Sequence, residues 1–266
     1  MKIFDSHCHL DDPSYADDMD RVLLRMHEAE VRRAIIVGIT EASAQRAVVL
    51  AEAHEEFFAS VGIHPHDAQS CSEKALESLE TLAQSPRVCA WGEIGLDFNR
   101  MHSPRPAQER WFVRQMELGR ALGLPMIFHE RDTNGRFLEL LRAHGGPSRR
   151  GVVHCFSGTR DEMMEILALG YHIGITGILT IKSRGATLRE LTREIPADRL
   201  LIETDAPYLT PTPERNKHRR NEPAFVRSVL VKLAEVRGDD PEALADTLWH
   251  NTCALFGIDP DITPTA

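Results

Sequence analysis

Short apolar runs alternate along the chain with stretches in which apolar residues recur every three or four positions. The runs are residues 1–4, 34–38, 57–63, 88–92, 125–128, 151–153, 171–175 and 200–202. Between them, residues 17–30 carry Met19, Val22, Leu23, Met26 and Ala29 on one helical face. Further helices are predicted over 42–53, 72–83, 106–122, 134–143, 161–169 and 187–194, with closing helices at 223–236 and 241–256. The strands are apolar throughout instead of alternating, as in a parallel sheet covered on both faces. Eight strand–helix units within about 250 residues predict a (β/α)8 TIM barrel with closing C-terminal helices. A doubly wound open sheet is the rival, but it does not explain why a polar, ligand-type residue follows so many different strands. With no linker and no break in composition, residues 1–266 are read as one domain.

The polar residues at the strand ends are of one chemical kind. They are His7 and His9, His64 and His66, Glu93, His129, His154, then Glu203 and Asp205. In an extended segment His7 and His9 face the same side and can grip one ion. Taken singly, a histidine at a strand end is more often a hydrogen-bonded polar residue than a ligand. In a TIM barrel, however, all strand ends converge on one mouth. Imidazole and carboxylate together suit zinc, manganese, iron or nickel. Four histidines with a Glu and an Asp exceed the three protein ligands of a usual catalytic zinc site. That surplus suggests two divalent metal ions sharing a carboxylate, which is hydrolytic chemistry at a phosphoryl or acyl centre. Asp205, in the sharp Thr204-Asp205-Ala206-Pro207 turn, is the natural acceptor for the attacking water's proton.

Composition narrows the setting. The 266 residues are 42% hydrophobic, enough for a large core, and carry a net charge of −9. An acidic chain is a poor nucleic-acid coat protein, but bound cations can supply positive charge locally. Five cysteines without a Cys-x-x-Cys pair argue against a disulfide framework or a zinc ribbon. Neither a signal peptide nor a membrane-length apolar run is seen, so a soluble, cytoplasmic protein is expected, monomeric or weakly oligomeric. The one charge run, residues 214–220, follows the last strand, and a solvated loop is its default reading.

The motifs resemble the TatD-type metal-dependent deoxyribonucleases, (β/α)8 members of the amidohydrolase superfamily. They are Asp5-Ser6-His7-Cys8-His9-Leu10, Gly62-Ile63-His64-Pro65-His66, Gly92-Glu93-Ile94-Gly95-Leu96-Asp97, His129-Glu130-Arg131-Asp132, His154-Cys155-Phe156-Ser157-Gly158, Glu203-Thr204-Asp205-Ala206-Pro207-Tyr208 and Arg219-Arg220-Asn221-Glu222-Pro223. They run in the family's order from end to end. The resemblance implies that His7 and His9 bind one metal, with Glu93 bridging and Asp205 completing that site. It implies that His129, His154 and Glu93 hold a second, with magnesium added to the candidate ions, and it places His64 beside the substrate phosphate. Arg131 has the fork to engage a phosphate, or else pairs with Asp132 or Glu130. Glu203 is expected to orient ligands, and His66 to structure its loop. Cys8 and Cys155 should turn away from the site. His27, His54 and His250 are read as helical and structural, and Trp91, Trp111 and Trp249 as core. Phe98 and Tyr208 are the better base-stacking candidates.

The implied activity is a phosphodiesterase trimming single-stranded DNA from its 3′ end, with Arg219 and Arg220 of the basic loop on flanking phosphates. The alternatives are a metal-dependent amidase, esterase or deacylase acting on a small molecule, and a metal-bound scaffold.

Overall fold

The computed structural model describes residues 1–146 and 150–261. Every expected element lies inside these ranges; residues 147–149 and 262–266 of the expected single domain lie outside the described residues. Eight strands, β1 (Ile3–Cys8), β2 (Val31–Val37), β3 (Phe57–Val61), β4 (Val88–Asp97), β5 (Met126–Arg131), β6 (Gly151–Val153), β7 (His172–Ile175) and β8 (Leu200–Ile202), pair in sequence order. All neighbours are parallel. Past the end of β8 the chain returns to β1: the Asp205 N–H donates to His7 O (2.9 Å) and the His9 N–H to Ala206 O (2.7 Å). The sheet thereby closes, and the fold is a (β/α)8 barrel.

The connecting helices are α1 (Met19–Glu28), α2 (Glu41–Ala53), α3 (Glu73–Leu82), α4 (Arg105–Ala121), α5 (Arg136–His144), α6 (Arg160–Ala168) and α7 (Ala186–Leu191). α8 (Val226–Arg237) and α9 (Pro241–Phe256) follow β8. Their starts are written locally: Thr40 with Ser43 and Thr159 with Glu162 form reciprocal capping boxes, and Asp240 caps the helix that Pro241 opens. α8 begins three residues later than expected because Pro223–Phe225 forms a 3₁₀ turn first. His54 is not helical but ends α2 as its C-terminal cap.

Two apolar layers follow from the alternation of side chains. The larger lies between strands and helices. The smaller fills the barrel, with Phe4, Ile35, Val37, Cys89, Ile127, Val152 and Leu201 from the strands and Trp249 and Phe256 from α9. Phe4 and Trp249 meet at 5.6 Å, so α9 plugs the end where the strands begin. The next residues on the same inward face, His129 after Ile127, His154 after Val152 and Glu203 after Leu201, stand above this plug at the opposite end.

β1, β4 and β5 extend well past their apolar runs. The ladder does not stop where the side chains turn polar; it carries the polar residues into the mouth. β1 reaches Cys8 and β4 reaches Asp97, each with a register shift, between Asp5 and Cys8 and between Trp91 and Ile94. The β4 irregularity needs glycine. Gly92 and Gly95 have φ of +147° and +150°, and a Cβ on Gly95 would lie 1.9 Å from His129 O.

Candidate active site

Residues from six strands or the turns just after them converge. His7 Nε2 lies 3.3 Å from His9 Nε2, 3.4 Å from Glu93 Oε2 and 3.7 Å from Asp205 Oδ1. His9 Nε2 is 3.4 Å from the same Asp205 oxygen, while its Nδ1 is held by Val37 O at 2.9 Å. On the other side of Glu93, Oε1 is 2.7 Å from His129 Nδ1, 3.0 Å from His154 Nε2 and 3.4 Å from His64 Nε2. Glu93 therefore presents one oxygen to each half of the cluster. All six expected metal residues and His64 are brought together, and all but Asp205 and His129 are nearly or wholly buried.

The electrostatics are those of a cation site. Burial pushes the Glu93 carboxyl up, but the histidines around it, His154 and His64 foremost, hold it well below the usual carboxylate range. Burial likewise opposes a proton on His9, yet the bond to Asp205 raises its pKa to about 9. His7, fully buried and stacked on His154 at 3.9 Å, is pushed the other way and stays neutral. Buried carboxylates here draw positive charge, from protons or from metal ions that compete with them. Two imidazole nitrogens 3.3 Å apart, with a Glu93 and an Asp205 oxygen 3.4–3.7 Å from them, have the spacing of ligands around one divalent ion. The donors of His7, His9 and Glu93, of His7, His154 and Asp205, of Glu93, His129 and His154, and of His64, His66 and His129 each lie close enough together to hold a divalent cation.

A ring of supporting bonds surrounds the cluster. Glu203, fully buried, lies 3.2 Å from His154 Nδ1 and accepts the Cys155 N–H at 2.6 Å. Asp97 is the residue that the sequence reading left without a role. Its Oδ2 is 3.2 Å from His129 Nε2 and 2.7 Å from His66 Nε2, and its Oδ1 accepts the N–H groups of Asn99 and Arg100. Burial raises its pKa, but the two histidines lower it strongly, so it is a carboxylate. His66 does more than shape its loop, because its N–H donates to His64 Nδ1 at 3.0 Å. That bond leaves His64 Nε2 as the protonated nitrogen of a neutral ring. Burial opposes a proton on His129, but its bonds to Asp97 through Nε2 and to Glu93 through Nδ1 raise its pKa, and the Asp97 bond holds the ring with Nδ1 facing the cluster. Asp97→Asn should keep the fold and weaken metal affinity by roughly 10–100-fold, read by equilibrium dialysis against manganese.

The remaining expected residues separate. Arg131 shares the inward face of β5 with His129, and its guanidinium has no partner among the described residues: Asp132 takes Asn99 Nδ2, and Glu130 takes Thr133. Tyr208 is 54% exposed, its ring 6.0 Å from His9. Phe98 is partly buried under Arg105. Arg220 lies outside the cluster, bound by both oxygens of Asp18 (2.7 and 2.8 Å) and laid over Tyr15. Arg219 is exposed. Cys8 and Cys155 turn to the layer under the helices, and the three tryptophans are buried.

A family model described as TatD related DNase matches residues 4–257. A curated relative from Enterobacter lignolyticus, named 3′-5′ ssDNA/RNA exonuclease TatD, is 39% identical over 96% of this chain and 99% of its own length. Its namesake from Escherichia coli K12 is 41% identical over the same shares. Among solved structures, the TatD homologue YJJV from Escherichia coli K12 superposes with a TM-score of 0.89 at 32% identity, covering 97% of this chain and 98% of that one. A TatD family hydrolase from Entamoeba histolytica gives 0.87 at 26% identity, over 96% and 98%. With one family model spanning nearly the whole sequence and close relatives aligned almost end to end, the chain belongs to the TatD related DNase family.

Proposed function

We propose that the protein is a metal-dependent hydrolase of phosphodiester bonds that removes nucleotides one at a time from the 3′ end of single-stranded nucleic acid. The observation that carries this reading is Glu93, buried with one oxygen toward each half of a six-residue ligand cluster, beside an arginine left free for an anion. His7, His9, Glu93 and Asp205 would hold one divalent ion, and Glu93, His129 and His154 a second; magnesium, manganese, zinc, iron and nickel all suit the set. Such ions lower the pKa of a water and neutralise charge developing on the phosphoryl oxygens.

The residues of the chain do the rest. Asp205, the most exposed of the ligand carboxylates, takes the proton of the attacking water. The water's oxygen bonds to phosphorus and the bond from phosphorus to the 3′-oxygen breaks. The terminal nucleotide leaves with its 5′-phosphate, and the 3′-oxygen regains a proton. His64 donates its Nε2–H to a non-bridging oxygen, and the Arg131 fork engages the phosphate with two parallel bonds. Tyr208, on a loop pinned by Asn221, offers a face to the terminal base.

The test is a screen of 5′-labelled single-stranded DNA, duplex DNA, RNA and p-nitrophenyl esters, each with magnesium or manganese. A ladder shortened from the 3′ end is expected; ester cleavage with untouched nucleic acid would move the protein to the amidase and esterase branch of the superfamily. Asp205→Asn should lower kcat on the strand about 1,000-fold with little change in KM.

A further inference from the structure

Two loops at the mouth carry cations that no acidic side chain among the described residues pairs with. The first follows β7 and includes Lys182 and Arg184; the second follows β8 and includes Arg215, Lys217 and Arg219. All five are exposed, and none forms an ion pair or side-chain hydrogen bond among the described residues. The loops are one rigid surface. The Thr212 N–H donates to Thr180 Oγ1 at 2.7 Å, and Gly177 packs so closely that a Cβ there would lie 2.4 Å from Leu209 O. Arg189 fastens the first loop by donating to the carbonyls of Leu179, Ile181 and Lys182. Ser228 fastens the second by donating to Glu214 at 2.6 Å.

The next loop round the rim, across the seam where β8 meets β1, is built the other way. There the loop after β1 brings Asp11, Asp12, Asp17 and Asp18, and the arginines in contact with it or beside it are paired: Arg46 with Asp11, Arg25 with Glu222, and Arg220, from the loop after β8 itself, with Asp18. On a molecule of net charge −9, five exposed cations on two adjoining loops of the rim are a local attraction for a polyanion. Because the loops are prefixed, a strand laid on them orders itself and not the protein.

We infer that the loops after β7 and β8 form a track for the backbone of the single strand upstream of the scissile bond, with Lys182, Arg184, Arg215, Lys217 and Arg219 on successive phosphates. This rests on the nuclease reading above and adds to it a path: the strand leaves the mouth over the loops that follow β7 and β8. Neutralising five phosphates of a single strand gives a salt slope of about −3.5, so affinity should fall roughly 100-fold between about 50 and 200 mM salt.

The experiment measures binding of fluorescent oligothymidylate, about twenty nucleotides long and capped by a 3′-phosphorothioate, across that salt range. Wild type is compared with the variant carrying Lys182→Gln, Arg184→Gln, Arg215→Gln, Lys217→Gln and Arg219→Gln. The variant should bind at least ten times more weakly at low salt and lose most of the slope. A second variant that exchanges Lys and Arg at the same positions should keep the wild-type slope, which separates charge from loop damage. An unchanged slope in the glutamine variant overturns the track. Cleavage of a dinucleotide and of an uncapped oligothymidylate by wild type is run alongside: if either is cut while the slopes agree, the track alone fails, and if neither is cut, the nuclease reading fails and the track with it.

Discussion

Glu93→Ala is expected to abolish turnover, lowering kcat by about 10,000-fold, and to strip both metal positions together. The side chain is 3% exposed, and its two oxygens face opposite halves of the cluster. No neighbour can replace it: Glu203 is committed to His154 and Cys155, and Asp97 to His66 and His129. Alanine leaves His64, His129 and His154 facing one another without the negative charge that organises them. Elemental analysis after dialysis should find little tightly held metal, and adding manganese should no longer raise Tm, since only a ligand that binds the folded state stabilises it. A variant that keeps its metal content and turns over within tenfold of wild type would refute the shared-ligand role.

Gly95→Ala should be the most destabilising single methyl in the barrel. Its backbone φ of +150° is open to glycine and strained for any L-residue, and the added Cβ would fall 1.9 Å from the carbonyl oxygen of His129. Strain and overpacking together amount to about 3 kcal/mol. For a chain of this length that is a drop in Tm of about 6–12 °C, read by calorimetry. Because His129 must move to make room, metal affinity should fall as well. Gly123→Ala is the control: φ is +70° with nothing within 4 Å of the new methyl, so only the backbone term of about 1 kcal/mol applies.

These two residues illustrate what the sequence exposes and what it conceals. The barrel was legible because apolar runs and helical stripes alternate regularly, and the ligand cluster because His, Glu and Asp stand at the inward position just beyond each run. Strand extent was not legible. Reading β4 as ending at Gly92 hid the fact that Asp97 sits on the same ladder, beside Arg131, its partner on β5. Hydrophobicity marks where a strand enters the core; hydrogen bonding decides where it ends. The capture of Arg220 by Asp18, across 202 positions, was equally hidden, since spacing along a chain says nothing about pairs joined only by folding. Arg131 was the reverse case: its acidic neighbours in sequence look like partners but point elsewhere.

The seam where β8 meets β1 has a consequence for synthesis. The carbonyl of His7 and the amide of Asp205, like the amide of His9 and the carbonyl of Ala206, are the rivets of that seam and belong to or adjoin the candidate metal residues. A growing polypeptide therefore carries five of the six candidate metal residues without an assembled site until its final strand has emerged and docked. Premature termination or a cut ahead of that strand yields fragments with no competent centre, so the hydrolytic capacity of this chain is released only as a finished product.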